Sequence, residues 1–187
     1  MVPEREQKLI LDLLLGKISE EGFCREFPTS PREASSVALS MLRQALRERD
    51  AVGVEFGLYL GHRFGISQDF LDVLLSLSNE PWHQQHENVI DGLAKLADPA
   101  SVDVLYQTAL ARHPYLEYDE AFALGTKSIH ALGAIRTPEA IARLGDLLHS
   151  GNEILESKAE SQLRRIERAD APDFIRDAAR KVLAAGH

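Results

Sequence analysis

Residues 88–105, NVIDGLAKLADPASVDVL, and residues 127–144, KSIHALGAIRTPEAIARL, are one pattern written twice. Displacing one by 39 positions aligns Ile90 with Ile129, Leu93 with Leu132, Leu96 with Ile135, Pro99 with Pro138, Val102 with Ile141 and Leu105 with Leu144. Apolar residues recur in three-residue steps on both sides of the proline, which is the signature of an amphipathic helix and not of a strand. Asp98 and Thr137 stand before the prolines as N-caps, and a proline at the first helical position loses no hydrogen bond. Each copy therefore predicts two helices joined by a turn of about two residues. The small residues Gly92 and Ala94, and Ala131 and Gly133, are predicted to let the two helices of a hairpin approach closely. A less complete third copy aligns Pro172 with Pro138, Ile166 with Leu132, Leu163 with Ile129 and Ile175 with Ile141, at a register of 34. The difference in register falls on HPYLEY, residues 113–118, which reads as an insertion between units.

Outward from this region the chain stays helical. Leu9, Ile10, Leu13 and Leu14 share a helical face, and Gly16 ends that helix. Ser19 opens a short helix to about Phe27. Ser30, Pro31 and Glu33 form a capping box ahead of a long helix through Met41 and Leu46 to about Arg49. Asp50 caps the next helix, which stops at Gly65, and Ser67 opens another ending near Leu77. The fold class is all-α, and no stretch shows strand alternation or a hairpin turn signal.

Paired helices recurring with a proline after the first resemble HEAT repeats, over roughly residues 81 to 184. The resemblance implies an α-solenoid of HEAT-like helical hairpins at 81–112, 119–150 and 152–184. Residues 1–80 are then an N-terminal helical section, or degenerate repeats, packed as a cap over the first hairpin's apolar face. One continuous domain is expected.

A chain of 187 residues can bury about 70% of its unfolded surface without staples. Cys24 is the single cysteine, so no internal disulfide or cysteine metal cluster is available. The charged opening MVPEREQKLI reads as no signal peptide, and there is no run of apolar residues long enough for a membrane span. The cytoplasm is the expected compartment. A net charge of −8 argues against direct nucleic-acid binding and favours a basic partner. Between His83 and Thr126 seven acidic residues face two basic ones, whereas from Lys127 onward nine acids meet ten bases.

Few residues invite chemistry. In PWHQQHE, the spacing puts His83, His86 and Glu87 on one helical face at i, i+3 and i+4, and Asp91 follows a turn later. They are the one grouping that could hold a divalent metal, yet the order is neither H-E-x-x-H nor H-x-x-E-H and no second ligand set exists. No metal, no cofactor and no catalytic residue are expected; no activated nucleophile or phosphate loop can be placed. Trp82 reads as an anchor. The loop HPYLEYDE places Tyr115, Glu117, Tyr118, Asp119 and Glu120 together, and tyrosines beside carboxylates suit either packing under the array or an interface for a basic protein. In the second helix of each copy, the apolar face leaves Asp103, Tyr106 and Gln107, and Glu139, Arg143 and Asp146, pointing outward.

The N-terminal helices, the WHQQHE entry and two hairpins separated by YLEYDEA resemble small bacterial HEAT-repeat proteins, some of them immunity proteins against polymorphic toxins. That resemblance implies a non-catalytic inhibitor that binds one cognate toxin domain, its acidity suiting capture of a basic partner. The alternatives are a HEAT scaffold or adaptor without an inhibitory role, and a metal-dependent hydroxylase or lyase subunit using His83, His86 and Glu87. HEAT-like DNA glycosylases are further relatives that the acidity disfavours.

Overall fold

A computed structural model describes residues 3–27, 30–116 and 121–185, and only the backbone of 31 and 32. Among the described residues there are eleven α-helices, three short 3-10 turns and no strand. The chain is all-α, and no described helix is long and apolar enough to cross a membrane. It gathers into two compact units, Met1–Gly92 and Leu93–His187. The division falls inside a helix, His86–Leu96.

The first unit holds α1 (Glu4–Leu14), α2 (Glu20–Glu26), α3 (Pro31–Glu48), α4 (Ala51–Phe64), α5 (Leu71–Leu77) and the start of α6 (His86–Leu96). Most boundaries follow the local chemistry. Gly16 takes a left-handed φ of 67° after α1, a conformation with no penalty for a residue lacking Cβ. The Ser19 hydroxyl accepts the Gly22 N–H, and the Asp50 carboxylate accepts the Gly53 N–H. Ser30 and Glu33 exchange the two bonds of a capping box. Ser67 differs: a 3-10 turn, Gln68–Phe70, intervenes before α5, and the Ser67 hydroxyl lies 3.4 Å from the Asp69 carboxylate instead of capping. Phe23, Leu42, Leu58, Leu60, Phe70 and Leu74 are fully buried. Phe23 stacks on Phe64 with ring centres 5.7 Å apart, tying α2 to α4.

The second unit continues with α7 (Val102–Leu110), α8 (Ala123–Ile135), α9 (Pro138–Leu147), α10 (Glu153–Arg168) and α11 (Asp173–Ala185). Helix α8 packs on α7, α9 and α10; α10 packs on α9 and α11; and α9 also meets α7 and α11. Aligned residues of the first two copies share their burial. Ile90 and Ile129, Leu93 and Leu132, Val102 and Ile141, and Leu105 and Leu144 are all buried, while Pro99 and Pro138 are both exposed. Leu96 and Ile135, expected in the core, are both half-buried because each lies at the fraying end of its helix. The third copy agrees, with Leu163, Ile166 and Ile175 buried.

The repeated break has a repeated backbone. Ala97 and Arg136, one register apart, both adopt the left-handed conformation, with φ of 48° and 55°. The next residues then cap: Asp98 accepts the Ala100 N–H and Thr137 accepts the Ala140 N–H. Pro138 starts α9 directly, whereas Pro99 first opens a 3-10 turn, Pro99–Ser101.

The small residues act differently from expectation. A Cβ on Gly92 would meet Leu74 and Ile66, and one on Gly133 would meet Gln162 of α10. A Cβ on Gly125 would stand 2.9 Å from the Ala109 carbonyl oxygen and 2.7 Å from the Leu155 side chain. These notches admit neighbours from outside the hairpin, not the hairpin's own second helix. Periodicity identifies a buried face without naming what covers it.

Two outcomes in urea unfolding follow. Leu132→Ala should lose about 2 to 5 kcal/mol, because a fully buried leucine leaves a cavity; a loss below about 0.5 kcal/mol would mean the position behaves as surface. Ala97→Gly should gain up to about 1 kcal/mol by relieving the left-handed strain, and a loss of stability would show that the strain is already compensated.

Candidate functional site

Burial of Val102, Leu105 and Ala109 turns Asp103 and Gln107 of α7 to solvent and leaves Tyr106 half-buried. In α9, burial of Ala140, Ile141, Leu144 and Leu147 likewise leaves Glu139 and Asp146 exposed and Arg143 half-buried. Because α7 and α9 are in contact, these outward rows meet. The Arg143 Nη2 and Nε both donate to Asp103 Oδ1, at 2.7 and 3.1 Å, and Nη1 donates to Asp146 at 3.2 Å. Its guanidinium carbon sits 4.8 Å from the centre of the Tyr106 ring. The hydrogen bond to Asp103, then that to Asp146, raise the Arg143 pKa above its ordinary value.

The side chains in this cluster are accessible: 71% for Asp103, 51% for Asp146 and 39% for Arg143. Ion pairs so exposed add little to stability. They do gather charged and aromatic groups on one surface. Two carboxylates against one guanidinium leave the cluster net negative, and Glu139 adds a further charge on the same helix.

The structure thus brings Asp103, Tyr106 and Arg143 together, with Gln107 exposed one residue beyond Tyr106. Tyr115 sits in the 3-10 turn Pro114–Leu116, half-buried, its ring 5.7 Å from that of His113. Glu117, Tyr118, Asp119 and Glu120 lie outside the described residues. Beside the turn, Arg112 lays its guanidinium 4.4 Å over the Phe122 ring. Both line a cavity of about 150 Å³ with His113, Leu116 and Leu124. Burial lowers the His113 pKa. The cation–π pair was not foreseen, and only the aromatic next to the insertion could have hinted at it.

His83, His86 and Glu87 need correction. Helix α6 begins at His86, so His83 lies in the preceding connection and the three do not share a helical face. Both imidazoles are buried and stacked, with centres 4.4 Å apart. A carbonyl oxygen can only accept, so His83 Nε2–H donates to Leu77 at 2.9 Å and His86 Nε2–H donates to Glu80 at 3.0 Å. His83 Nδ1 accepts the Gln85 N–H at 3.1 Å, which occupies the lone pair a metal would need. Trp82 donates to the Glu80 carboxylate at 2.6 Å and sets its ring edge against His83, 5.1 Å between centres. The histidines close the end of α5 and pin the connection into α6. Among the described residues no three His, Cys, Asp or Glu side chains converge as a metal-holding group.

His86→Ala should destabilise by about 1 to 3 kcal/mol, since it removes a fully buried imidazole and strips the part-buried Glu80 carbonyl of its donor. The purified protein should contain no stoichiometric zinc, iron or manganese; about one ion per chain, lost in His86→Ala, would contradict the hydrogen-bonding role. Comparison of the chain with family models, with curated proteins and with solved structures finds no match in any of the three.

Proposed function

We propose that this chain is a non-catalytic protein-binding module whose α7–α9 surface captures a basic protein domain. The observation that carries the reading is the assembled cluster of Asp103, Tyr106, Arg143 and Asp146. Arginine and tyrosine are the residue types on which interface energy concentrates. Here they already touch one another on one exposed face, the guanidinium 4.8 Å from the ring centre. The excess of acid between His83 and Thr126 supplies long-range attraction for a cationic partner, speeding encounter. Engagement of the two buried histidines with backbone groups supports the non-catalytic part, because the grouping best suited to chemistry serves the fold instead.

Within this reading the chain acts as an immunity protein: a bacterial HEAT-like array, its hairpins stacked as a solenoid in the cytoplasm, that covers the active site of a basic toxin domain. The repeated register, with equal burial in successive copies and a recurring capped break, supports the stacked array. Acidity supports the choice of partner. The alternative, a scaffold without an inhibitory role, differs only in what happens to the captured domain.

The test begins with affinity capture from the native cell and identification of the retained protein. Asp103→Lys should slow its association and flatten the salt dependence while leaving the unfolding midpoint in place. Tyr106→Ala should lose about 2 kcal/mol of binding. Variants that bind like wild type would remove the α7–α9 surface from the function. Titrating the partner's own activity separates the roles: loss at one-to-one stoichiometry supports inhibition, and undiminished activity supports the scaffold.

A further inference from the structure

A second charged surface lies on other helices of the same unit and has the opposite sign. Between the end of α8 and the exposed face of α10 runs an open groove of about 910 Å³, lined by Arg136, Arg164, Arg165, Arg168, Ser157 and Ser161. Its carboxylates are Glu160 and Asp170, and Glu160 is already paired with Arg164 at 2.6 Å. Among the described residues the side chains of Arg136, Arg165 and Arg168 make no hydrogen bond or ion pair. In an acidic chain of net charge −8, three uncommitted guanidinium groups along one groove are a local reversal of sign. Burial first, then Lys158 and Arg165, lower the pKa of His130 on α8.

We propose that this groove binds a short acidic peptide segment of a partner protein. Planar guanidinium forks match carboxylates in bidentate pairs, and serine hydroxyls can donate beside them. The exposed α10 stretch from Ser157 to Arg168 is about 16 Å long at the helical rise. That length accommodates about five residues of extended chain. Nucleic acid fits less well, because among the described residues no aromatic ring lines the groove to stack a base. The α7–α9 cluster and this groove do not share residues, so either assignment can fail without the other.

Fluorescence anisotropy with labelled hexaglutamate, hexaglutamine and oligothymidylate tests the assignment. Hexaglutamate should bind with an affinity that falls as salt rises, and hexaglutamine should not bind. Arg165→Glu with Arg168→Glu should weaken hexaglutamate binding by about tenfold or more. An equal change in net charge on the first unit, Arg5→Glu with Arg47→Glu, should weaken it much less. Should the groove double variant lose its helical circular dichroism, Arg165→Gln alone takes its place, with about a threefold loss expected from one fork removed. Hexaglutamine binding as tightly as hexaglutamate, groove variants binding like wild type, or equal losses from both double variants would overturn the proposal. Tighter binding of oligothymidylate would overturn it in favour of nucleic acid.

Discussion

A helix leaves four N–H groups at its start and four carbonyls at its end without internal partners, and in a chain built only of helices these ends recur every few turns. Much of this molecule's detail answers that requirement. Ser19, Ser30, Asp50, Asp98, Thr137 and Asn152 each turn a side-chain oxygen toward N–H groups of the helix they precede. At the other ends, Arg49, Ala97 and Arg136 bend the backbone into a left-handed turn. The buried imidazoles after α5 answer the same need with side chains, His83 donating to the Leu77 carbonyl at the end of that helix and His86 to the Glu80 carbonyl just beyond it. Hydrophobic burial drives collapse, yet the capped ends decide where one helix yields to the next.

How much of this could be read from the sequence depended on how local the cause was. The capped, proline-marked breaks were legible because cap, proline and apolar period lie within a few residues of one another. His83 misled because its spacing from His86 imitates a helical step, while the chain at that point is still a connection. Asp103, Tyr106 and Arg143 were readable singly as outward residues, and their convergence has a simple origin. Asp103 and Arg143 are separated by 40 positions, nearly the register of 39, and equivalent parts of adjacent copies lie side by side. The arginine groove was invisible to a charge count along the chain. Nine acids and ten bases from Lys127 onward nearly cancel, and only the helical faces show which of them gather.

Charge in this protein is therefore best considered by surface and not by total. The acidic total suggests one basic partner, and the proposed capture surface agrees with it. The groove on α10 has the opposite preference at short range, where three guanidinium groups outweigh a distant excess of carboxylates screened by salt. Steering and docking can thus be assigned to different parts of one small molecule without conflict.

Arg136 stands at the meeting point of these two themes, being both the left-handed residue that ends α8 and a wall of the groove. A glycine would suit its backbone better, so any effort to raise thermal tolerance by choosing the residue each backbone angle prefers would select glycine here. It would also delete a charge from the groove. The position is one where ruggedness and recognition ask for different amino acids, and an engineer who optimised the first alone would erode the second without disturbing a single helix.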